Sequence, residues 1–203
     1  MPHNTCLSCG VPLDATLAPG PCGQCLKKTP PQQETHHLYQ YKSPVREAIL
    51  AWKLHGDDSA LIWLLHAAEQ QLQTIFSVDD LLLPVPMPLY RMRRSGLHHS
   101  ADLCQNIVAQ VGCTMDWKTL RRKGNDKRQS SLQGKARERN LRHSFTLAED
   151  GIGRVQSHNI KGKVWVVDDI LTTGATLRHA CAAARQIKRP IFAFSFARVL
   201  HDE

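Results

Sequence analysis

The sequence predicts an α/β domain with a mainly parallel sheet flanked by helices, preceded by a small module built on four cysteines. Three observations carry that expectation. Apolar runs of strand length alternate with longer stretches of helical periodicity from about residue 38 onward. The apolar runs are continuous rather than alternating, as strands buried on both faces are. Four of the seven cysteines stand as two CxxC pairs near the start. A chain of 203 residues, 42% hydrophobic and 22% charged, can bury one sizeable core plus a small module, and its composition excludes disorder, collagen and coiled coil. Its longest mostly apolar stretch, residues 61–68, contains His66 and falls far short of the roughly 20 residues of a spanning helix.

The opening segment, MPHNTCLSCG, lacks the basic-then-apolar pattern of a secretory signal, so a cytoplasmic location is expected. Cys6, Cys9, Cys22 and Cys25 form CLSC and CGQC, separated by twelve residues. Each CxxC turn aims two thiolates at one point, and two such turns complete a tetrahedral four-cysteine site of the zinc-ribbon or knuckle kind, expected over residues 1–30. Disulfides do not suit a reducing compartment, and a redox CxxC needs no second copy. With every ligand position filled by protein, such zinc is structural. Cys104, Cys113 and Cys181 sit among apolar neighbours and read as ordinary core residues. Residues 31–36 read as a linker, and the larger domain is expected over 37–203.

In that domain, residues 38–41 read as a short strand and 44–55 as a helix with Val45, Ala48, Ile49 and Trp52 on one face. Residues 59–76 give the strongest helical pattern, 80–86 a buried strand running into a proline-stiffened loop, and 100–111 another helix. Residues 115–120 read as a short strand, 163–167 as a buried strand, 175–187 as a helix and 191–197 as the last strand. Residues 121–142 show no apolar periodicity and read as a long flexible basic loop. The net charge of +8 is concentrated there: residues 91–142 hold 13 basic and 4 acidic side chains, while the remainder is close to neutral. A polyanionic partner, nucleic acid or pyrophosphate, and a merely solvated basic face both fit that block.

Residues 164–176, VWVVDDILTTGAT, carry most of the chemistry. An apolar strand delivers Asp168 and Asp169 to its C-terminal end, and the turn Thr172-Thr173-Gly174 opens a helix beginning with Ala175 and Thr176. Free backbone N–H groups and hydroxyls at such a helix start cradle an anion. The carboxylates accept hydrogen bonds from vicinal sugar hydroxyls, so one site reads a sugar and its phosphate together. No lysine follows the glycine turn, which excludes a Walker A loop.

These thirteen positions resemble the 5-phosphoribosyl-1-pyrophosphate (PRPP) signature of type I phosphoribosyltransferases. The resemblance implies that fold for the larger domain, with Asp168 and Asp169 on the ribose hydroxyls, residues 172–176 on the 5-phosphate, and Mg2+ bridging ribose and pyrophosphate oxygens. It also implies a pyrophosphate loop at residues 84–88 and a flexible loop at 121–140 that closes over the leaving group.

Further residues narrow the resemblance to the ComF family. These are the preceding four-cysteine module, Tyr41, the segment ILAWKLHGD around Lys53 and Gly56, PVP followed by Arg91, Arg93, Arg94 and Gly96, and the spacing of Gln129, Leu132, Arg137, Asn140 and Phe145. The resemblance makes Arg91, Arg93, Gln129, Arg137 and Asn140 pyrophosphate or flexible-loop candidates. Lys53 is read either as a ligand contact or as a solvated lysine. The chain departs from the family pattern at Ser95 and at Leu97-His98-His99; the two histidines read as a helix start and stay outside the site. The resemblance implies a competence protein supporting uptake of single-stranded DNA in natural transformation, peripheral to the inner-membrane uptake machinery, with a competence helicase and recombination-loading factors as partners. Trp117 is the one aromatic in residues 91–142, a thin stacking platform for single strands. Three readings stay open: a competence factor retaining PRPP as a ligand, an active phosphoribosyltransferase with an unknown acceptor, and a nucleotide-salvage enzyme.

Overall fold

The computed structural model describes residues 5–14, 16, 18, 20–88, 90, 92–93, 96–123 and 144–200. Five segments form one sheet in the order β1 (Thr35–Gln40), β7 (Ile191–Arg198), β6 (Val164–Leu171), β2 (Leu81–Pro84), β3 (Thr114–Met115), with every neighbouring pair parallel. Successive residues of the central strand face opposite layers. Trp165 and Val167 pack with Leu82 and Phe194 beneath α2 (Val45–His55), α3 (Ser59–Ala67), α4 (Glu69–Ile75) and α5 (His99–Val111). Val164 and Val166 pack with Leu81 and Leu83 beneath α7 (Ala175–Ala184). Both faces of β6 are therefore dry, which is why its sequence is continuously apolar until the aspartates.

The bottom of the sheet is closed by a buried carboxylate. Asp80 accepts from the Trp165 indole N–H (2.9 Å), the Lys163 N–H (2.7 Å) and the Ser77 N–H (3.0 Å). Gly162 passes so close that a Cβ would collide with this carboxylate and with the backbone of Asp79, which makes glycine obligatory there.

Several elements differ from the sequence expectation. The helix expected over 59–76 breaks at Ala68 (φ −101°, ψ 13°), although Leu61, Leu64, Leu65, Ala68, Leu72 and Phe76 keep one apolar face throughout. The strand expected over 115–120 is two: β3 in the main sheet, and β4 (Leu120–Arg122), which pairs antiparallel with β5 (Phe145–Leu147). Asp116 makes the break, since its Oδ1 accepts from the Lys118 and Thr119 N–H groups (2.7 and 3.2 Å) while Arg154 of α6 (Gly151–Ser157) grips both carboxylate oxygens (2.9 and 3.2 Å). Arg121 and Arg122, expected in the basic loop, belong to β4; residues 124–142 of that loop lie outside the described residues. Thr35 and His36, expected in the linker, belong to β1. The 163–167 strand runs on to Leu171, pairing with β7 as far as Arg198. Among the described residues no helix is long and apolar enough to cross a membrane.

The N-terminal segment folds around its cysteines, with α1 (Gly23–Lys27) starting just after Cys22. It packs on the sheet through Thr35, whose N–H donates to Leu7 O (2.8 Å) and whose hydroxyl donates to Ser8 O (2.8 Å).

Candidate functional site

Chain order reverses direction between β2 and β6: β2 leads through α5 outward to β3, and β6 leads through α7 the other way to β7. Open parallel sheets hold ligands at the carboxyl ends of strands beside such a point. Both strand ends here carry the segments singled out in the sequence. The PVP segment leaves β2 alongside β6, with the Val85 N–H donating to Val167 O (2.8 Å), so residues 85–86 lie next to the aspartates. Asp168 and Asp169 lie in the C-terminal half of β6, Asp168 in register with Ser195.

Three elements converge on the acidic pair. Asp168 Oδ1 accepts from Ser100 Oγ at the start of α5 (3.1 Å) and from the Asp169 N–H (3.0 Å). Asp169 Oδ1 accepts from the Ile170 N–H (2.7 Å), and its Oδ2 pairs with Lys53 Nζ of α2 at 2.5 Å. Lys53 is thereby brought to the candidate site, paired with a carboxylate. Burial and the neighbouring Asp169 charge push the Asp168 carboxyl up to about 8, against the pull of the Asp169 N–H, Lys53 and Ser100.

The turn follows at once. Thr172 and Thr173 are exposed, and Gly174 adopts a left-handed conformation (φ 73°) as the residue before α7, a ten-residue helix. A side chain there would be strained, so the sharp entry into the helix depends on glycine. The Thr173 hydroxyl accepts weakly from the Ala175 N–H (3.4 Å), and Ala175 and Thr176 form the open first turn. Arg93 is exposed in the segment after Pro88. Arg91, Gln129, Arg137 and Asn140 lie outside the described residues.

Sequence reasoning missed Ser100 and set His99 aside. His99 is buried, meets the Trp52 ring edge-on at 4.9 Å, and has no partner for Nε2 among the described residues. Burial holds its pKa below the usual imidazole value, opposed by Asp169 and reinforced by Lys53. The signal for both was the helix start itself: residues at the first turn of a helix between β2 and β3 must sit beside the carboxyl end of the next strand. His98 caps that helix, its Nδ1 accepting from the Ala101 N–H (3.2 Å).

The four N-terminal cysteines form a second site. Their sulfurs all lie within 4.8 Å of one another. Cys9 and Cys22 Sγ are 3.8 Å apart, about the edge of a tetrahedron with Zn–S bonds of roughly 2.3 Å. Cys6 Sγ accepts from the Cys22 N–H (3.1 Å). Burial and the adjoining Cys6 sulfur push Cys9 up to about 11, while Cys6, although desolvated, is lowered to about 7 by backbone donors from Cys22, Cys9 and Ser8. Four sulfurs crowded together without a cation is an unfavourable arrangement that a divalent, thiophilic ion removes; the donor set fits structural zinc.

No family model matches the chain. It is 32% identical over 177 residues to DNA utilization protein YhgH of Escherichia coli (strain K12), covering 85% of this chain and 74% of that protein. The Shigella flexneri protein of the same name gives the same figures. Competence protein F of Haemophilus influenzae is 25% identical over 171 residues, covering 82% of this chain and 72% of its own. The fold, the four-cysteine cluster and this similarity along most of the sequence together make the chain a member of the ComF family.

Proposed function

We propose that this protein binds the sugar phosphate of PRPP, with Mg2+, and serves in the handling of DNA during competence, as the names of its relatives imply. One observation carries the ligand reading: adjacent carboxylates near the end of the central strand, at the reversal of the sheet, run into a left-handed glycine turn and an open helix start. The two aspartates are spaced to accept from neighbouring ribose hydroxyls, and the backbone N–H groups of residues 174–176 face the anion a sugar phosphate brings. Lys53 and Ser100 hold the carboxylates in place. A bound magnesium supplies charge neutralisation for the pyrophosphate oxygens. Binding of a cation or of hydroxyl donors favours the ionised form of Asp168 and displaces its proton.

The DNA part rests on the basic region. Arg121 and Arg122 lie on β4, and the half-exposed Trp117 carries Lys118 Nζ at 5.4 Å from its ring centre, a stacking surface with a cation beside it. The helicase and recombination-loading partners implied by the family belong to this reading.

Transfer of the ribosyl group to an acceptor is the second reading. The paired carboxylates Asp168 and Asp169 held together near the strand end favour it as they favour binding.

Calorimetry with PRPP–Mg2+ on the purified chain and on the double substitution Asp168→Asn, Asp169→Asn tests the site. Binding by the parent and none by a folded double variant is expected. Equal affinity of the two, or no binding by the parent, removes the sugar-phosphate reading.

A further inference from the structure

We infer that Arg198 is the positioning residue that joins the four-cysteine module to the phosphate turn, so that metal held by the cysteines and ligand held at the turn strengthen one another. The ligand half of this inference rests on the sugar-phosphate reading above.

Arg198 is the last residue of β7, in register with Leu171, the residue just before Thr172. Its neighbour Val199 donates its N–H to Leu171 O (2.8 Å), so the backbone at this point sets where the strand ends and the turn begins. The side chain goes the other way, to the cysteines. Its Nη1 donates to Cys9 O (2.7 Å), and a Cβ on Gly10, which adopts φ 73°, would stand 3.4 Å from that same nitrogen. Arg198 is 9% exposed, and among the described residues no carboxylate pairs with it. A buried cation without a carboxylate is costly unless another anion faces it. Four thiolates around a divalent ion carry a net charge of −2, which is that anion. The chain also brings Gln32 Nε2 to Ser8 O (2.9 Å) and the Thr35 hydroxyl to the same carbonyl (2.8 Å), so the CxxC loop is held from two sides, and Arg198 links it to the strand end.

The module and the turn share one cleft: Cys9, Cys25 and Arg198 line it together with Thr173, Gly174 and Arg178. Loss of the metal removes the counter-charge of Arg198 and frees the loop it holds. A ligand that orders the turn fixes the strand end, and through Arg198 favours the metal-loaded arrangement; coupling of this kind is reciprocal.

The test is an equilibrium competition for zinc between the full metal-loaded chain and a zinc-selective chelator, with and without PRPP–Mg2+, on the parent, Arg198→Met and Arg198→Lys. Loss of a residue that orients metal ligands commonly weakens metal affinity by about 10- to 100-fold. Arg198→Met is expected to retain zinc about 10-fold less tightly while its near-ultraviolet dichroism stays native, and Arg198→Lys to fall between. PRPP is expected to tighten zinc retention in the parent and to leave Arg198→Met unchanged, a dependence that a purely structural arginine does not produce. Unaltered zinc retention in Arg198→Met, or PRPP tightening that survives the substitution, overturns the inference. If Arg198→Met does not fold, unaltered retention and unaltered PRPP response in Arg198→Lys do the same. PRPP that binds the parent without changing its zinc retention refutes the coupling alone. PRPP that does not bind the parent at all refutes the sugar-phosphate reading, and the coupling with it.

Discussion

Replacing Asp168 by Asn should stabilise the protein in a way that grows with pH. Burial and the Asp169 charge push the Asp168 carboxyl up to about 8, whereas in the unfolded chain it titrates near 4. Between these values the native state keeps a proton that the unfolded state releases, so the stability this group contributes is complete below about pH 4 and is lost as pH rises toward about 8. At pH 7 about three units of that window have been crossed, a ceiling on the order of 4 kcal/mol at roughly 1.4 kcal/mol per unit. Asp168 retains some exposure, so about half of this, or about 2 kcal/mol, is expected. The amide oxygen of Asn still accepts from Ser100 and from the Asp169 N–H, so the hydrogen bonds survive while the titration disappears. For a chain of this size 2 kcal/mol corresponds to a Tm rise of about 4–8 °C. Thermal unfolding of both chains from pH 5 to 8, without magnesium or phosphate, should show curves that lie close together at pH 5 and separate as pH rises, the variant above. A separation that is constant with pH, or that narrows toward pH 8, would refute the view that Asp168 holds its proton in the native state.

The other expectations concern groups that frame the site or the sheet. Lys53→Met removes the cation paired with Asp169 and leaves that carboxylate without its side-chain partner, so the variant should be less stable than the parent at pH 7 by about 1 kcal/mol in thermal unfolding. Asp80→Ala leaves the Trp165 indole and two backbone N–H groups without their acceptor inside the sheet, and should cost about 3 kcal/mol or more by urea unfolding. Asp116 is lowered below the usual carboxylate range: desolvation opposes, but the Lys118 N–H, Arg154 and His158 prevail. Its stabilisation is present above the ordinary carboxylate value and is lost as pH falls through its depressed one, so Asp116→Asn should be less stable than the parent at pH 7 and converge with it under acid unfolding.

What could be read in advance follows from how local each signal is. Strand β6 was legible because a continuously apolar run can be buried only by layers on both sides, and the turn after it because two threonines and a glycine at once end that run and open the next helix. The two CxxC pairs were legible for the same reason: thiolate geometry needs only four residues. The contacts that complete these sites come from elsewhere in the chain. Ser100 and Asp168 are 68 residues apart, and Arg198 and Cys9 are 189 apart, so neither pairing leaves a trace in spacing or periodicity. Asp116 ends a strand through side-chain acceptance and an arginine 38 residues away, which is why residues 115–120 read as one strand. Lys53 is the instructive residue. On its own helix it is one more lysine near the C-terminal end, equally suited to water, and only the packing of α2 against the sheet gives it Asp169 as a partner. The contiguous residues of the candidate site were thus legible in the sequence, while the contacts that hold them, Lys53 on Asp169 and Ser100 on Asp168, were set by tertiary packing.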